Sequence, residues 1–124
     1  MAAILLVEDD MVLGHMLARY LRVHGDRVVL AYDGESALAE VRKREFDIVV
    51  TDINMPRGDG IELITSLTES GCSAQIVAIS GGGMLPKEHL LEDAGLLGAA
   101  ATLAKPFEAE DLRRVLHELL GRKS

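Results

Sequence analysis

IVVT at residues 48–51 is a short run of apolar and β-branched residues that ends directly before an acidic residue, Asp52. Its apolar residues are consecutive rather than alternating, which is typical of a strand buried on both faces within a parallel sheet. Four comparable runs are spread along the rest of the chain. The five predicted strands are Ala3–Val7, Val28–Ala31, Ile48–Thr51, Ile76–Ile79 and Ala99–Ala104. The sequence therefore predicts a five-stranded parallel sheet.

Helical patterns separate the predicted strands, because apolar residues recur there at spacings of three and four. Local signals support several helix ends: Gly25 after the first helix, Asp33 before the second, and Asp59 with Glu62 at the start of the third. The apolar positions are Leu13, Leu17, Tyr20 and Leu21 in the first helix, Leu38 and Val41 in the second, Ile61, Ile64 and Leu67 in the third, Leu90, Leu91 and Ala94 in the fourth, and Leu112, Val115, Leu116 and Leu119 in the fifth. Parallel strands joined by helices take right-handed crossovers, so the predicted fold is α/β, a (βα)5 doubly wound sheet with helices on both faces.

The composition is that of a globular protein of ordinary domain size. The 124 residues are 48% hydrophobic and 27% charged, and we expect a single domain over residues 1–124. The formal net charge of −7 argues against nucleic-acid binding, which needs a concentrated basic face. No apolar run is long enough to cross a membrane and no secretion signal opens the chain, so we expect a cytoplasmic location. Cys72 is the only cysteine, which excludes an internal disulfide.

Polar side chains follow four of the five predicted strands, at the point where each strand ends. Glu8 and Asp9 follow the first strand, Asp52 the third, Ser80 the fourth and Lys105 the fifth. In a parallel sheet these ends meet at one edge, where ligands bind near the switch in strand order. Three neighbouring carboxylates repel one another unless protons or a cation are bound, and hard oxygen ligands suit Mg²⁺. With a lysine beside them, such a set can neutralise a phosphoryl group during its transfer to a carboxylate.

Four sequence motifs carry a family resemblance that spans Ile4 to about Leu120. They are LLVEDD at 5–10, VVTDINMPRGDG at 49–60, IVAIS at 76–80 and LAKPF at 103–107. In this order and at this spacing, they closely resemble the response-regulator receiver domain of two-component signalling, in particular the single-domain, chemotaxis-regulator type. The resemblance implies a flavodoxin-like fold with the strand order 2-1-3-4-5.

The resemblance also implies a magnesium site at the predicted edge of the sheet. Asp9 corresponds to a direct ligand of the ion, and Glu8 to a carboxylate that acts through a coordinated water. Asp52 corresponds to a ligand that is also the phosphoacceptor, and the backbone carbonyl of Asn54 corresponds to a further ligand. The implied metal ligands are therefore Glu8, Asp9, Asp52 and Asn54.

Two further positions correspond to residues that contact the phosphoryl group in this family. Ser80 matches a hydroxyl that donates to one phosphoryl oxygen, and Lys105 matches a lysine that pairs with another. The Lys105–Pro106 peptide bond corresponds to one that is cis in family members. Thr102 stands where many receivers carry an aromatic residue whose rotation reports phosphorylation, so how this chain replaces that aromatic readout stays open.

The function implied by the resemblance is that of a signalling phosphoacceptor, not of a turnover enzyme. Asp52 would take a phosphoryl group from the phosphohistidine of a histidine kinase or a histidine phosphotransfer protein. A conformational change would then signal to a downstream protein target that the sequence does not identify. The resemblance implies that the phosphodonor docks on the first helix and the loops around Asp52. It implies that the target docks on the surface from the fourth helix through the fifth. The protein would be a monomer or a phosphorylation-dependent dimer.

Three alternatives remain open at this point. A magnesium-dependent phosphatase with an aspartyl nucleophile typically has a second aspartate two residues later, whereas this chain has Asn54. A receiver-like interaction module that is never phosphorylated would not need so complete an acidic set. The chain could also be the excised receiver of a larger hybrid kinase or regulator.

The remaining polar and glycine residues receive structural interpretations. Asp10 is interpreted as a charge at a helix N-terminus rather than as a metal ligand. Pro56 and Gly60 are expected to shape the loop after Asp52, and Gly81–Gly83 to form a flexible loop. Metal-ligand spacing is lacking among the four histidines, which are His15, His24, His89 and His117.

Overall fold

The computed structural model describes residues 2–55, 59–80 and 98–121, in which strands and helices follow one another along the chain. The strands are β1 (Ala3–Val7), β2 (Arg27–Ala31), β3 (Ile48–Asp52), β4 (Gln75–Ser80) and β5 (Ala101–Ala104). The helices are α1 (Met11–Val23), α2 (Gly34–Lys43), α3 (Asp59–Glu69) and α4 (Ala109–Leu120), so α4 corresponds to the fifth predicted helix. Several predictions lie outside the described residues: the helix around Leu90, Leu91 and Ala94, the loops at Pro56 and Gly81–Gly83, and the side chain of Asp59.

The five strands form one parallel sheet in the order β2-β1-β3-β4-β5, which confirms the predicted topology. β1 lies between β2 and β3, so the strand order reverses at this point. Val7 pairs with Ala31 on one side and with Thr51 on the other, which brings the carboxyl ends of β1 and β3 next to each other. Doubly wound sheets bind their ligands at such a reversal.

Successive residues of each strand point into opposite layers of the molecule. In β1, Leu5 and Val7 belong to the apolar cluster shared with α2 and α3, whereas Ile4 and Leu6 belong to the cluster shared with α1 and α4. All four side chains are at most 1% exposed. Burial on both faces explains why the strand sequences are continuously apolar.

Aspartate side chains cap the N-termini of α1 and α2 by accepting backbone hydrogen bonds. Asp10 Oδ1 accepts from the N–H of Leu13 at 3.1 Å, and Asp33 Oδ1 accepts from the N–H of Ser36 at 2.7 Å. These side chains satisfy amide groups that a helix leaves without partners at its start. Gly25, just after α1, has a left-handed φ of 100°, which confirms its predicted role at the helix end.

Gly60 is the second residue of α3 and packs closely against the end of β3. A Cβ atom at this position would overlap the backbone carbonyl oxygen of Asp52 and lie 2.6 Å from Cα of Ile53. Both neighbours are backbone atoms, so they could make room only if the end of β3 moved. The missing side chain at Gly60 therefore allows α3 to start directly against the strand that carries Asp52.

Gly60→Ala is expected to lower the free energy of unfolding by about 3 kcal/mol, because the added methyl group overpacks against backbone. Urea unfolding measures the change. Gly14→Ala is the matched control, because the nearest neighbour of its Cβ would be a side-chain atom, Leu30 Cδ1 at 3.1 Å, and alanine favours the helix. Equal losses of stability in both variants would contradict the prediction.

Asp33→Ala is expected to lower the free energy of unfolding by about 1 kcal/mol, because it removes the side-chain cap of α2. The hydrogen bond from the N–H of Ser36 lowers the pKa of Asp33 below its usual value of 3.8. The contribution of the ionised Asp33 cap to the free energy of unfolding is therefore complete above pH 3.8. It is lost as the pH falls through the lowered pKa of Asp33. Urea unfolding at neutral and acidic pH should show wild type and variant converging in acid. Asp33→Asn is the control, because it keeps an acceptor oxygen. A loss of stability in Asp33→Ala that is the same at both pH values would contradict this explanation.

Candidate functional site

Three carboxylates meet where the carboxyl ends of β1 and β3 lie side by side. Glu8 and Asp9 directly follow β1, and Asp52 is the last residue of β3. One carboxylate oxygen from each of the three residues lies within 4.8 Å of the others. We call this group the acidic cluster. The structure thus brings together the three carboxylates that were predicted to meet.

Lys105 lies at the end of β5 and joins two members of the acidic cluster. Its Nζ donates to Asp52 Oδ2 at 2.6 Å and to Glu8 Oε1 at 3.1 Å. The backbone N–H of Lys105 donates to the carbonyl oxygen of Ser80 at 2.6 Å, so the lysine is fixed to the end of β4. The Lys105–Pro106 peptide bond is cis, as the family resemblance implied.

Glu8 is almost completely buried, with 1% of its surface exposed. Besides its contact with Lys105, it accepts a hydrogen bond through Oε2 from the backbone N–H of Asp10 at 3.1 Å. Burial raises the pKa of Glu8, and the nearby charge of Asp52 raises it further, against the opposing effects of the Asp10 N–H and Lys105. Both carboxylate oxygens of Glu8 therefore have protein partners.

The pKa of Lys105 reflects a competition between burial and charge. Partial burial lowers this pKa, but hydrogen bonds and charge attraction from Asp52 and then Glu8 outweigh that effect and leave the pKa above its usual value. The side chain therefore stays an ammonium ion at neutral pH. It supplies the positive charge that two buried carboxylates require.

Asp52 is held through both of its carboxylate oxygens and is 3% exposed. Oδ2 accepts from Lys105, and Oδ1 accepts from the backbone N–H of Asn54 at 2.7 Å. Asn54 itself is exposed, two residues beyond the end of β3. The two hydrogen bonds determine the orientation of the Asp52 carboxylate toward the edge of the sheet.

Ser80 ends β4, the neighbour of β3 in the sheet. Ser80 is fully buried, and its Oγ has no hydrogen-bond partner among the described residues. A buried hydroxyl without a partner costs free energy, and such a group in a native protein calls for an explanation. In the register, Ser80 is one residue beyond Ile79, the partner of Asp52, so an acceptor bound at this edge would explain its placement.

The donor set of the acidic cluster fits a hard divalent cation. Its ligand atoms are carboxylate oxygens, which Mg²⁺ prefers, and their mutual separations allow several to face one ion. With all groups ionised, the three carboxylates and the Lys105 ammonium leave a formal charge of −2. Asp9 is exposed, unlike Glu8 and Asp52, so the cluster is open to solvent at that residue.

The other candidate residues have structural partners. Asp10 caps α1, which confirms its interpretation as a charge at a helix N-terminus. Of the histidines, His15 Nε2 is hydrogen-bonded to the Tyr32 hydroxyl at 3.0 Å, and His24 Nδ1 to the carbonyl oxygen of Tyr20 at 2.8 Å. Within the described residues, the acidic cluster is the one group of three or more side chains that could hold a metal ion.

Three contributions to the site were not predicted from the sequence. They are the backbone N–H groups of Asp10 and Asn54, which orient Glu8 and Asp52, and the close approach of Gly60 behind Asp52. Backbone donors leave no signature in side-chain chemistry. A glycine in the first turn of a helix, soon after a functional aspartate, is the one signal that could have pointed to close packing.

A family model described as the response regulator receiver domain matches residues 4–117. CiaR, a transcriptional regulatory protein of Streptococcus pneumoniae, is 32% identical over 123 residues, which cover 98% of this chain and 53% of CiaR. The response regulator MprA of a Mycobacterium species is 36% identical over 121 residues, which cover 98% of this chain and 51% of MprA. The chain thus spans about half the length of the curated relatives that it matches.

A solved structure is similar to this chain over nearly the whole length of both chains. The chemotaxis response regulator CheY4 of Vibrio cholerae superimposes with a TM-score of 0.84 at 29% sequence identity. The match covers 96% of this chain and 98% of CheY4. Together with the family model and the two relatives, this similarity shows that the chain belongs to the response regulator receiver domain family of two-component signalling.

Proposed function

We propose that this receiver domain accepts a phosphoryl group on Asp52 from the phosphohistidine of a histidine kinase or a histidine phosphotransfer protein. One observation carries the proposal: Asp52 lies at the ligand-binding edge of the sheet, with an ammonium group 2.6 Å from one of its oxygens and two further carboxylates beside it. A fixed carboxylate can act as the nucleophile toward phosphorus, and a lysine with a cation-binding acidic cluster can neutralise the charge of the transferred group.

In the proposed step, a carboxylate oxygen of Asp52 attacks the phosphorus atom of phosphohistidine. An oxygen–phosphorus bond forms while the phosphorus–nitrogen bond breaks, and the electron pair of that bond returns to the imidazole of the donor. The product is an acyl phosphate on Asp52 and a histidine on the partner. Because little covalent chemistry is needed, positioning and charge stabilisation supply most of the rate.

Two side chains of this chain would stabilise the transferred group. The Lys105 ammonium already contacts Asp52 and would pair with a phosphoryl oxygen. The Ser80 hydroxyl, which has no partner among the described residues, would donate to another phosphoryl oxygen. That hydrogen bond would remove the free-energy cost of a buried donor without a partner. Ser80 would therefore stabilise the phosphorylated state.

We propose Glu8, Asp9, Asp52 and the backbone carbonyl of Asn54 as the groups that hold Mg²⁺. When bound, the ion supplies positive charge against the phosphoryl oxygens. Asp9 is exposed and suits direct contact with the ion. Glu8, whose oxygens are engaged by Lys105 and the Asp10 N–H, suits contact through a water.

The wider functional assignment is also a proposal. We propose that residues 1–124 act as one receiver domain in the cytoplasm, a switch rather than a turnover enzyme, with a protein target and no direct contact to nucleic acid. The formal charge of −7 supports the last point. Among the helices that the structure describes, none has both the length and the apolar character needed to cross a membrane. A monomer that dimerises on phosphorylation and a constant monomer both agree with this assignment.

Incubation of wild type with acetyl phosphate and Mg²⁺ is expected to add the mass of one phosphoryl group, and Asp52→Asn is expected to add none, because its amide is not a nucleophile for phosphorus. Intact mass spectrometry measures the adduct. Asp10→Asn is the matched control, since it makes the same change at an aspartate whose side chain caps α1. Absence of the adduct in wild type would favour an unphosphorylated interaction module, and repeated turnover of phosphomonoesters would favour a phosphatase.

Asp9→Asn is expected to weaken Mg²⁺ binding roughly tenfold, because it removes one anionic oxygen ligand. Calorimetric titration with Mg²⁺ measures the dissociation constant. Asp10→Asn again serves as the control and should leave the constant unchanged, because asparagine can also cap α1. Equal weakening in both variants would mean that Mg²⁺ responds to overall charge and not to a ligand at Asp9.

A further inference from the structure

A groove opens beside the acidic cluster, between α2 and α3. Its volume is about 550 Å³, and Asp9 belongs both to this groove and to the acidic cluster. We call it the α2–α3 groove. Its lining includes Asp9, Glu35, Leu38, Met55, Glu62 and Leu63. Apart from Asp9, none of these residues has a part in the proposed phosphoryl transfer.

The floor of the α2–α3 groove is apolar. Met55 and Leu63 are 5% and 1% exposed and belong to the core on this side of the sheet. Leu38 is half-buried and packs against the same core. Leu38, the least buried of the three, is therefore the hydrocarbon that a ligand in the groove would chiefly contact, which favours an occupant with an apolar part.

The rim of the groove is acidic. Asp9, Glu35 and Glu62 are exposed carboxylates, and the described residues that line the groove include no lysine or arginine. None of the ion pairs found in the described part of the chain involves these three residues. Asp33 also lines the groove, but its role as the cap of α2 accounts for its position. The remaining carboxylates leave a negative rim that attracts cations.

The groove does not have the geometry of a second metal site. Among the described residues, the acidic cluster is the only set of three carboxylates close enough to share one ion. Glu35 and Glu62 do not join it. Carboxylates beside apolar side chains instead suit a cationic group that is attached to a hydrocarbon stem.

We propose that the α2–α3 groove binds a basic segment of a partner protein, with a lysine or arginine side chain laid along its floor. The methylene stem of such a side chain packs on apolar surface while its charged head reaches a polar rim, which is the division that this groove offers. Tyr32 also lines the groove, and an aromatic ring adds attraction for a cation. Because Asp9 is shared with the acidic cluster, a bound segment would lie next to Asp52.

The test uses the full chain without Mg²⁺, so that its result is independent of phosphorylation. The probe is the capped peptide Leu-Arg-Ala-Lys-Leu, and its uncharged analogue carries citrulline and acetyl-lysine instead of arginine and lysine. Amide chemical shifts are followed by NMR during titration. The charged peptide is expected to shift the amides of Gly34, Leu38 and Ser66, which line the groove, and the analogue is not.

Charge variants assign the binding to the rim. Glu35→Gln and Glu62→Gln are each expected to weaken binding about two- to fivefold, the usual size of an exposed ion pair. Glu69→Gln is the matched control, since it removes the same charge from the exposed last turn of α3, away from the groove, and should leave binding unchanged. A structural defect would show as altered shifts in the free variants.

Three outcomes would overturn the proposal. The first is equal binding of the charged and uncharged peptides, which would mean that charge plays no part. The second is a set of shifts that falls outside the groove or an affinity that ignores Glu35 and Glu62. The third is displacement of the peptide by spermidine at equal concentration, which would make the groove a site for small polyamines without use of its apolar floor.

Discussion

The candidate site depends on one ammonium group that makes two buried carboxylates tolerable. Glu8 and Asp52 are 1% and 3% exposed, and Lys105 donates to both. Buried charges lose their hydration, and only close opposite charges and hydrogen bonds offset that loss. Lys105 is separated from Glu8 by 97 residues and from Asp52 by 53, so these contacts form only when β5 has paired with β4. Pairing of β1, β3, β4 and β5 is therefore a condition for the site.

The residues of the site are held by the sheet rather than by free loops, because backbone pairing continues one residue past several strands. The N–H of Glu8 donates to Ala31, that of Ile53 to Ile79, and that of Lys105 to Ser80. Functional groups carried on the last pairs of a sheet are positioned more precisely than groups on mobile connections. Asp9 lies just beyond this paired region and is exposed, and it is the member of the acidic cluster with room to adjust to a ligand.

Hydropathy predicted the strands well and their ends less well, for a physical reason. The run Ala3–Val7 agrees with β1, but β4 also includes Gln75 and Ser80, and β5 begins at Ala101 rather than Ala99. Strand ends are decided by backbone pairing, which side-chain polarity does not report. The resemblance supplied the members of the site, whereas the burial of Glu8 and the amide donors to Glu8 and Asp52 required the three-dimensional structure. The α2–α3 groove combines residues from four separate segments, so no local pattern could have indicated it.

Thr102 bears on how the proposed phosphorylation of Asp52 could affect the surface. A threonine has no ring to rotate between buried and exposed positions, and Thr102 is half-buried in β5, paired with Ala78 of β4. Among the described residues, a backbone hydrogen bond connects Ser80 to the end of β5. Ser80 carries the unpartnered hydroxyl, and its carbonyl oxygen accepts from the N–H of Lys105 at 2.6 Å. If Ser80 moved toward a new acceptor, as the proposed function requires, this hydrogen bond would carry the movement to the end of β5 without the rotation of an aromatic side chain.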